Sequence, residues 1–185
     1  MGLVLGVDPG LGHCGWVLAN LEPGPTAITI RDLGVIKTKR SDRKRGVRES
    51  DDLLRRVRSF YQQLGDVLRH NEVFAICAES MSWPRNAAST AKIALCWGAL
   101  AALASERGLP FVQASPQEVK RATCNRADAS KEEVAAAVTK HMPEVESLLR
   151  LGRLPAGQHE HAYDAAAVVL ACLDSDVVRM ARRVA

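Results

Sequence analysis

Apolar residues along the chain follow two rhythms, short aliphatic runs and longer stretches spaced for helices, and their order outlines the architecture. Leu3–Val7 and Gly15–Ala19 read as strands joined by the turn DPGLGHC. Thr26–Ile30 and Leu33–Lys37 continue as extended, β-branched pieces after an EPGP turn. From Asp51 to Leu68, the residues Leu53, Leu54, Val57, Tyr61, Leu64 and Leu68 form a helical stripe. Val73–Ala78 is a short apolar run that predicts a buried strand, and it ends at Glu79. Ala87–Glu106 predicts a long Ala-rich helix, closed by Gly108 with Pro110 just beyond. Pro110–Gln113 reads as another strand and Ser115–Ala122 as a helix. Ser130-Lys-Glu-Glu133 is a capping box opening a helix to about His141. Pro143 to Gly157 is mixed and predicts a loop with a helical turn. A final helix from Glu160 to Met180 turns Ala165, Val168, Val169, Cys172 and Val177 inward. The order predicts an α/β fold: a mixed sheet, with an antiparallel meander of three strands plus two parallel strands, flanked by helices.

Length and composition narrow the class. At 185 residues the chain predicts one domain with a proper core, and its 47% apolar and 25% charged residues are ordinary for a globular protein. The longest membrane-span candidate, Ala87–Ala104, is interrupted by Ser89, Thr90 and Lys92, so a buried helix is expected there and no membrane partner. No basic leader precedes the first strand, so no signal peptide is expected. Five scattered cysteines without a CxxC pair argue against a disulfide framework or structural zinc, and predict a cytoplasmic setting. The net charge of +4 is uneven, because residues 37–48 hold seven basic residues and one acidic one. Such a run is either a solvated loop or a phosphate-binding surface.

Two apolar strands end in a carboxylate, Asp8 and Glu79. Asp-Pro-Gly is also ordinary turn chemistry, so Asp8 alone has a structural explanation. In open α/β sheets, however, ligands gather outside the carboxyl ends of parallel strands, where both acids would meet. QHEHAYDAAAVV adds His161 and Asp164, three apart and on one side of an otherwise apolar helix. Like charges crowded in a half-buried site repel unless a cation sits among them, and hard oxygen ligands point to Mg2+, with the imidazole tilting toward Mn2+. A cluster of this kind suits phosphodiester hydrolysis with two metal ions. Lys120, Arg121, Arg126 and Lys131, with the run 37–48, would hold the phosphate backbone.

These stretches resemble the RuvC family of Holliday-junction endonucleases, within the RNase H-like superfamily. The likeness lies in LVLGVDPGLGHCGW, in FAICAES followed by NAAST, in GLPFVQASPQEVKRA with ADASKEEV, and in HAYDAAAVVLA. It covers most of the chain in order, with extra length around 40–50 and 143–157. The resemblance implies a single RNase H-like nuclease domain over residues 1–185. Asp8, Glu79, His161 and Asp164 would form the catalytic metal-binding set for two ions, Mg2+ or Mn2+. Lys120 and Lys131 would contact phosphates near the scissile bond. It further implies a homodimer that cuts branched DNA symmetrically, with the helix 87–106 near the dimer seam.

Two departures bear on substrate choice. Where the family often has an aromatic residue three places after the second acid, this chain has Ser82, with Trp83 beside it as a candidate for stacking on bases. The family's glycine-rich turn after the Lys120-like position is replaced by TCNRADA. A less selective nuclease for branched or flapped DNA, or a DNA-binding module without catalysis, are the alternative expectations. An actin-like or sugar-kinase ATPase shares the Asp-x-Gly turn but needs two domains of this kind. Whether a branch-migration motor takes part is not written in the sequence.

Overall fold

The computed structural model describes residues 2–24, 27–42, 46–81, 86–152 and 154–184. Strands β1 (Gly2–Asp8), β2 (His13–Leu21) and β3 (Ile28–Lys37) form an antiparallel meander. β4 (Ala75–Glu79) pairs parallel with β1, and β5 (Phe111–Ala114) pairs parallel with β4. The sheet order is β3-β2-β1-β4-β5, the mixed topology the hydrophobic pattern predicts. Helices are α1 (Glu49–Arg69), α2 (Ala87–Glu106), α3 (Pro116–Cys124), α4 (Lys131–His141), α5 (Pro143–Arg150), α6 (His159–Cys172) and α7 (Asp176–Val184).

Strand alternation sorts the core into two halves. Leu3, Leu5 and Val7 of β1, with Cys14, Leu18, Ile76 and Ala78, pack against Phe60 and Leu64 of α1 and Leu100 and Leu103 of α2. On the opposite face Val4, Val17, Ala19, Ala75 and Cys77 pack against α6, whose Ala162, Ala165, Ala166, Val168 and Val169 are wholly buried. Small side chains let α6 lie almost on the strands. A Cβ added to Gly6 would stand 2.6 Å from the Ala165 carbonyl, and one on Gly15 only 1.9 Å from the His161 carbonyl.

The structure departs from the sequence expectations in four places. The helix expected to be buried, α2, buries only Cys96, Ala99, Leu100, Leu103 and Ala104 and exposes Ala91, Ala94, Leu95 and Gly98. The two extended pieces around 26–37 are one strand, with Arg31 as the extra residue of a bulge between the Ala19–Ile30 and Leu18–Asp32 pairs. Thr26 lies outside the described residues. The stretch expected as a loop from Pro143 carries α5, with Pro143 in its first turn and Val145 and Leu149 buried in the α6 half of the core. The final helix is two helices. Ser175 breaks it: its hydroxyl donates to the Cys172 carbonyl and accepts from the Val178 amide, closing α6 and starting α7. The capping box at Ser130 and Glu133 is present as expected, and an equivalent box at Ser115 and Glu118 opens α3.

Candidate active site

The strand parity that buries Val4 and Gly6 beneath α6 puts Asp8 on the same face, at the C-terminal end of β1. The same alternation, Ala75, Cys77, Glu79, delivers Glu79 to that face and end of the neighbouring parallel strand. The first two turns of α6 cross this edge with His161 and Asp164. The four side chains expected from the sequence are therefore brought together, from chain positions more than 150 residues apart in the case of Asp8 and His161.

Their contacts are specific. His161 Nδ1 lies 3.2 Å from Asp8 Oδ2, and since a carboxylate accepts, Nδ1 is the donor. That hydrogen bond, reinforced by the Asp8 charge, holds the His161 imidazole above its ordinary pKa. Side-chain exposures of 22% and 23% for His161 and Asp8 leave the pair reachable from solvent. Asp164 Oδ2 is 3.6 Å from Lys131 Nζ, the first residue of α4, and Lys131 also reaches Glu160 Oε2 at 3.4 Å. Burial, then repulsion from Asp8, raises the Asp164 carboxyl. Glu79 is raised furthest, to about 7, by burial first and by the charges of Asp8 and Asp164 next, with Lys131 and Lys120 opposing.

Among the described residues, no three acidic, histidine or cysteine side chains close into a tight metal shell. Asp8 is engaged by His161 and Asp164 by Lys131, so each leans toward a neighbour. The donor chemistry still fits a hard divalent cation: three carboxylates and an imidazole at one sheet edge, crowded enough that one carboxyl holds its proton near neutrality.

Other groups brace this edge and were not legible beforehand. The His13 ring stacks on His161 with centroids 5.2 Å apart and planes 9° from parallel. Trp97 of α2 donates from Nε1 to the Glu79 carbonyl at 3.2 Å, anchoring the end of β4. Arg56, buried on α1, donates from Nε to the Thr38 hydroxyl at 3.0 Å, and that hydroxyl donates in turn to the Leu11 carbonyl. The turn after Asp8 is thus tied to α1.

The basic candidates differ in how they are held. Lys120 sits half-buried on α3, and Arg121 beside it is exposed. Arg126 is clamped by Glu133 through both carboxylate oxygens, at 2.5 and 2.6 Å. Ser82 and Trp83 lie outside the described residues, as do residues 43–45 of the basic run.

A mixed five-stranded sheet with helices on both faces and acids at the ends of adjacent parallel strands defines the RNase H-like class of nucleases. The family model described as "Crossover junction endodeoxyribonuclease RuvC" matches residues 4–172. The RuvC of Natranaerobius thermophilus is 24% identical over 91% of this chain and 92% of its own. That of Parafrankia sp. is 36% identical over 74% of this chain and 71% of its own. Among solved structures, T. thermophilus RuvC in complex with a Holliday junction substrate superposes with a TM-score of 0.72 and 26% identity, covering 92% of each chain. The chain belongs to the RuvC family of crossover junction endodeoxyribonucleases. Membership implies a divalent metal cofactor.

Proposed function

We propose that this chain is a Mg2+-dependent endodeoxyribonuclease that resolves four-way DNA junctions by paired symmetric nicks. One observation carries the reading: Asp8 and Glu79 end adjacent parallel strands on the face covered by α6, which adds His161 and Asp164, in a chain of the RuvC family.

Two divalent ions, Mg2+ or Mn2+, held by Asp8, Glu79, Asp164 and His161 would stabilise the attacking water and the leaving 3′ oxygen. With Nδ1 bonded to Asp8, His161 can offer Nε2, 3.9 Å from Glu160 Oε1, for ligation once that nitrogen has lost its proton, and the bond to Asp8 fixes the plane of the ring. Glu79 must lose its proton before it can bind a cation, and the crowding that raises its pKa is relieved when a cation arrives. Lys131 balances Asp164 and stands ready to meet a phosphate, with Lys120, Arg121 and Arg126 extending the basic surface. Arg126 must leave Glu133 to do so. Trp83 is the candidate for stacking on an opened base at the junction centre.

We further infer a single nuclease domain over residues 1–185 that acts in the cytoplasm as a homodimer. Support for the dimer comes from α2, which is long and apolar enough to cross a membrane by composition yet only 22% buried over its most apolar window. Its outward face exposes Ala91, Ala94, Gly98 and Ala102, small residues that allow close approach of a second copy, with the larger Leu95 among them. Because Trp97 of the same helix holds the end of β4, a seam on α2 sits one hydrogen bond from Glu79.

The test is a side-by-side cleavage assay on a four-way junction, a flap, a fork and plain duplex in Mg2+. The junction should be cut fastest, in paired nicks at symmetric positions. Equal rates on all four substrates would replace this reading with the less selective nuclease.

A further inference from the structure

The acidic edge has cations on one flank, where Lys120 of α3 and Lys131 of α4 both act on Glu79. The other flank carries Lys37, the first residue of the basic run 37–48, whose place relative to the acids the sequence does not give. Lys37 ends β3 and pairs directly across from His13 at the start of β2. Alternation along β3 puts Lys37 on the face of Leu33, which packs into the α6 half of the core. Lys37 therefore shares both the face and the end of the sheet with Asp8 and Glu79. The His13 ring lies between them, stacked on His161 and within reach of the Lys37 charge.

Lys131 is occupied by Asp164 and Glu160, whereas the Lys37 side chain is exposed and makes no hydrogen bond or ion pair with another described residue. Two strand spacings, roughly 10 Å, separate β3 from β1. That offset suits a phosphate beside the one under attack rather than the attacked phosphate itself.

We propose that Lys37 contacts the phosphate neighbouring the scissile one, on the flank opposite Lys120 and Lys131, with the stacked His13 and His161 rings as the floor between. The cut strand is then gripped on both sides of the bond that breaks, which limits its rotation during in-line attack. The proposal deepens the nuclease reading and rests on it.

Junction binding in EDTA across a salt series tests it, with wild type, Lys37→Ala and Lys37→Arg. Each protein is assayed on junctions carrying one neutral methylphosphonate at successive positions around the cleavage site. Lys37→Ala should flatten the log–log salt slope by about 0.9, the increment of one phosphate contact, and Lys37→Arg should keep it. One methylphosphonate next to the cut should weaken the wild type yet leave Lys37→Ala unaffected. An unchanged slope, or losses that add at every position, would overturn the contact. A wild type that binds junctions but fails to cut them when Mg2+ replaces EDTA would sink the nuclease reading instead, while the slope measured in EDTA still reports on Lys37.

Discussion

Glu79 is the residue on which the electrostatics of the site converge. It is half-buried beside Asp8 and Asp164, and its carboxyl is pushed up to about 7, well above an ordinary glutamate at 4.5. A carboxyl raised on folding contributes stability that is complete below its unfolded pKa and is lost as pH rises through its folded one. In chelator, the protein should therefore become less stable between about pH 5 and 8. Glu79→Gln, which cannot ionise, should lie close to the wild-type melting temperature at pH 5 and exceed it by several degrees at pH 8.5. Thermal melts at the two pH values check this, and a variant that melts lower at pH 8.5 would mean Glu79 is not crowded. The same proton competes with a cation, so uptake of Mg2+ should tighten as pH rises past 7.

At the scale of elements, the site depends on how closely α6 lies against β1 and β2. Gly15 has no room for a side chain, because its Cβ would meet the His161 carbonyl at 1.9 Å, and backbone cannot rotate away as a side chain can. Gly15→Ala should cost about 2 kcal/mol or more, lower the melting temperature by roughly 6 °C, and remove cleavage by pushing His161 away from Asp8. An unchanged melting temperature with full activity would contradict this packing.

The elements themselves were largely legible, since Asp8 and Glu79 interrupt apolar runs at strand ends and HAYDAAAVV marks one helix face. The break at Ser175 was not, because the apolar spacing continues across it and only the Ser175 hydrogen bonds reveal the stop. α5 hid for the opposite reason: Val145 and Leu149 are few apolar residues for a helix, and burial against β3, α4 and α6 supplies what local pattern lacks. His13, Arg56 and Trp97 act through partners distant in sequence, so no spacing announces them.

For the whole molecule, the proposed symmetry of cutting requires two sites facing one junction, and the exposed apolar face of α2 is the surface proposed for that pairing. Leu95, 39% exposed there, should be the sensitive position. Leu95→Asp would place a charge in the seam, so sedimentation should show a monomer, and junction cuts should become single rather than paired. A Leu95→Asp protein that sediments and cuts like the wild type would move the seam elsewhere. Cleavage of either kind requires that residues from β1, β4 and α6 together hold the divalent ions proposed here. A crystal grown with Mn2+ tests this requirement most directly through the anomalous scattering of the metal. Manganese peaks should lie at the end of β1 and β4, with Asp8, Glu79, Asp164 and His161 donors at about 2.0–2.3 Å. Manganese bound elsewhere, with Asp8 and Glu79 coordinating nothing, would contradict it.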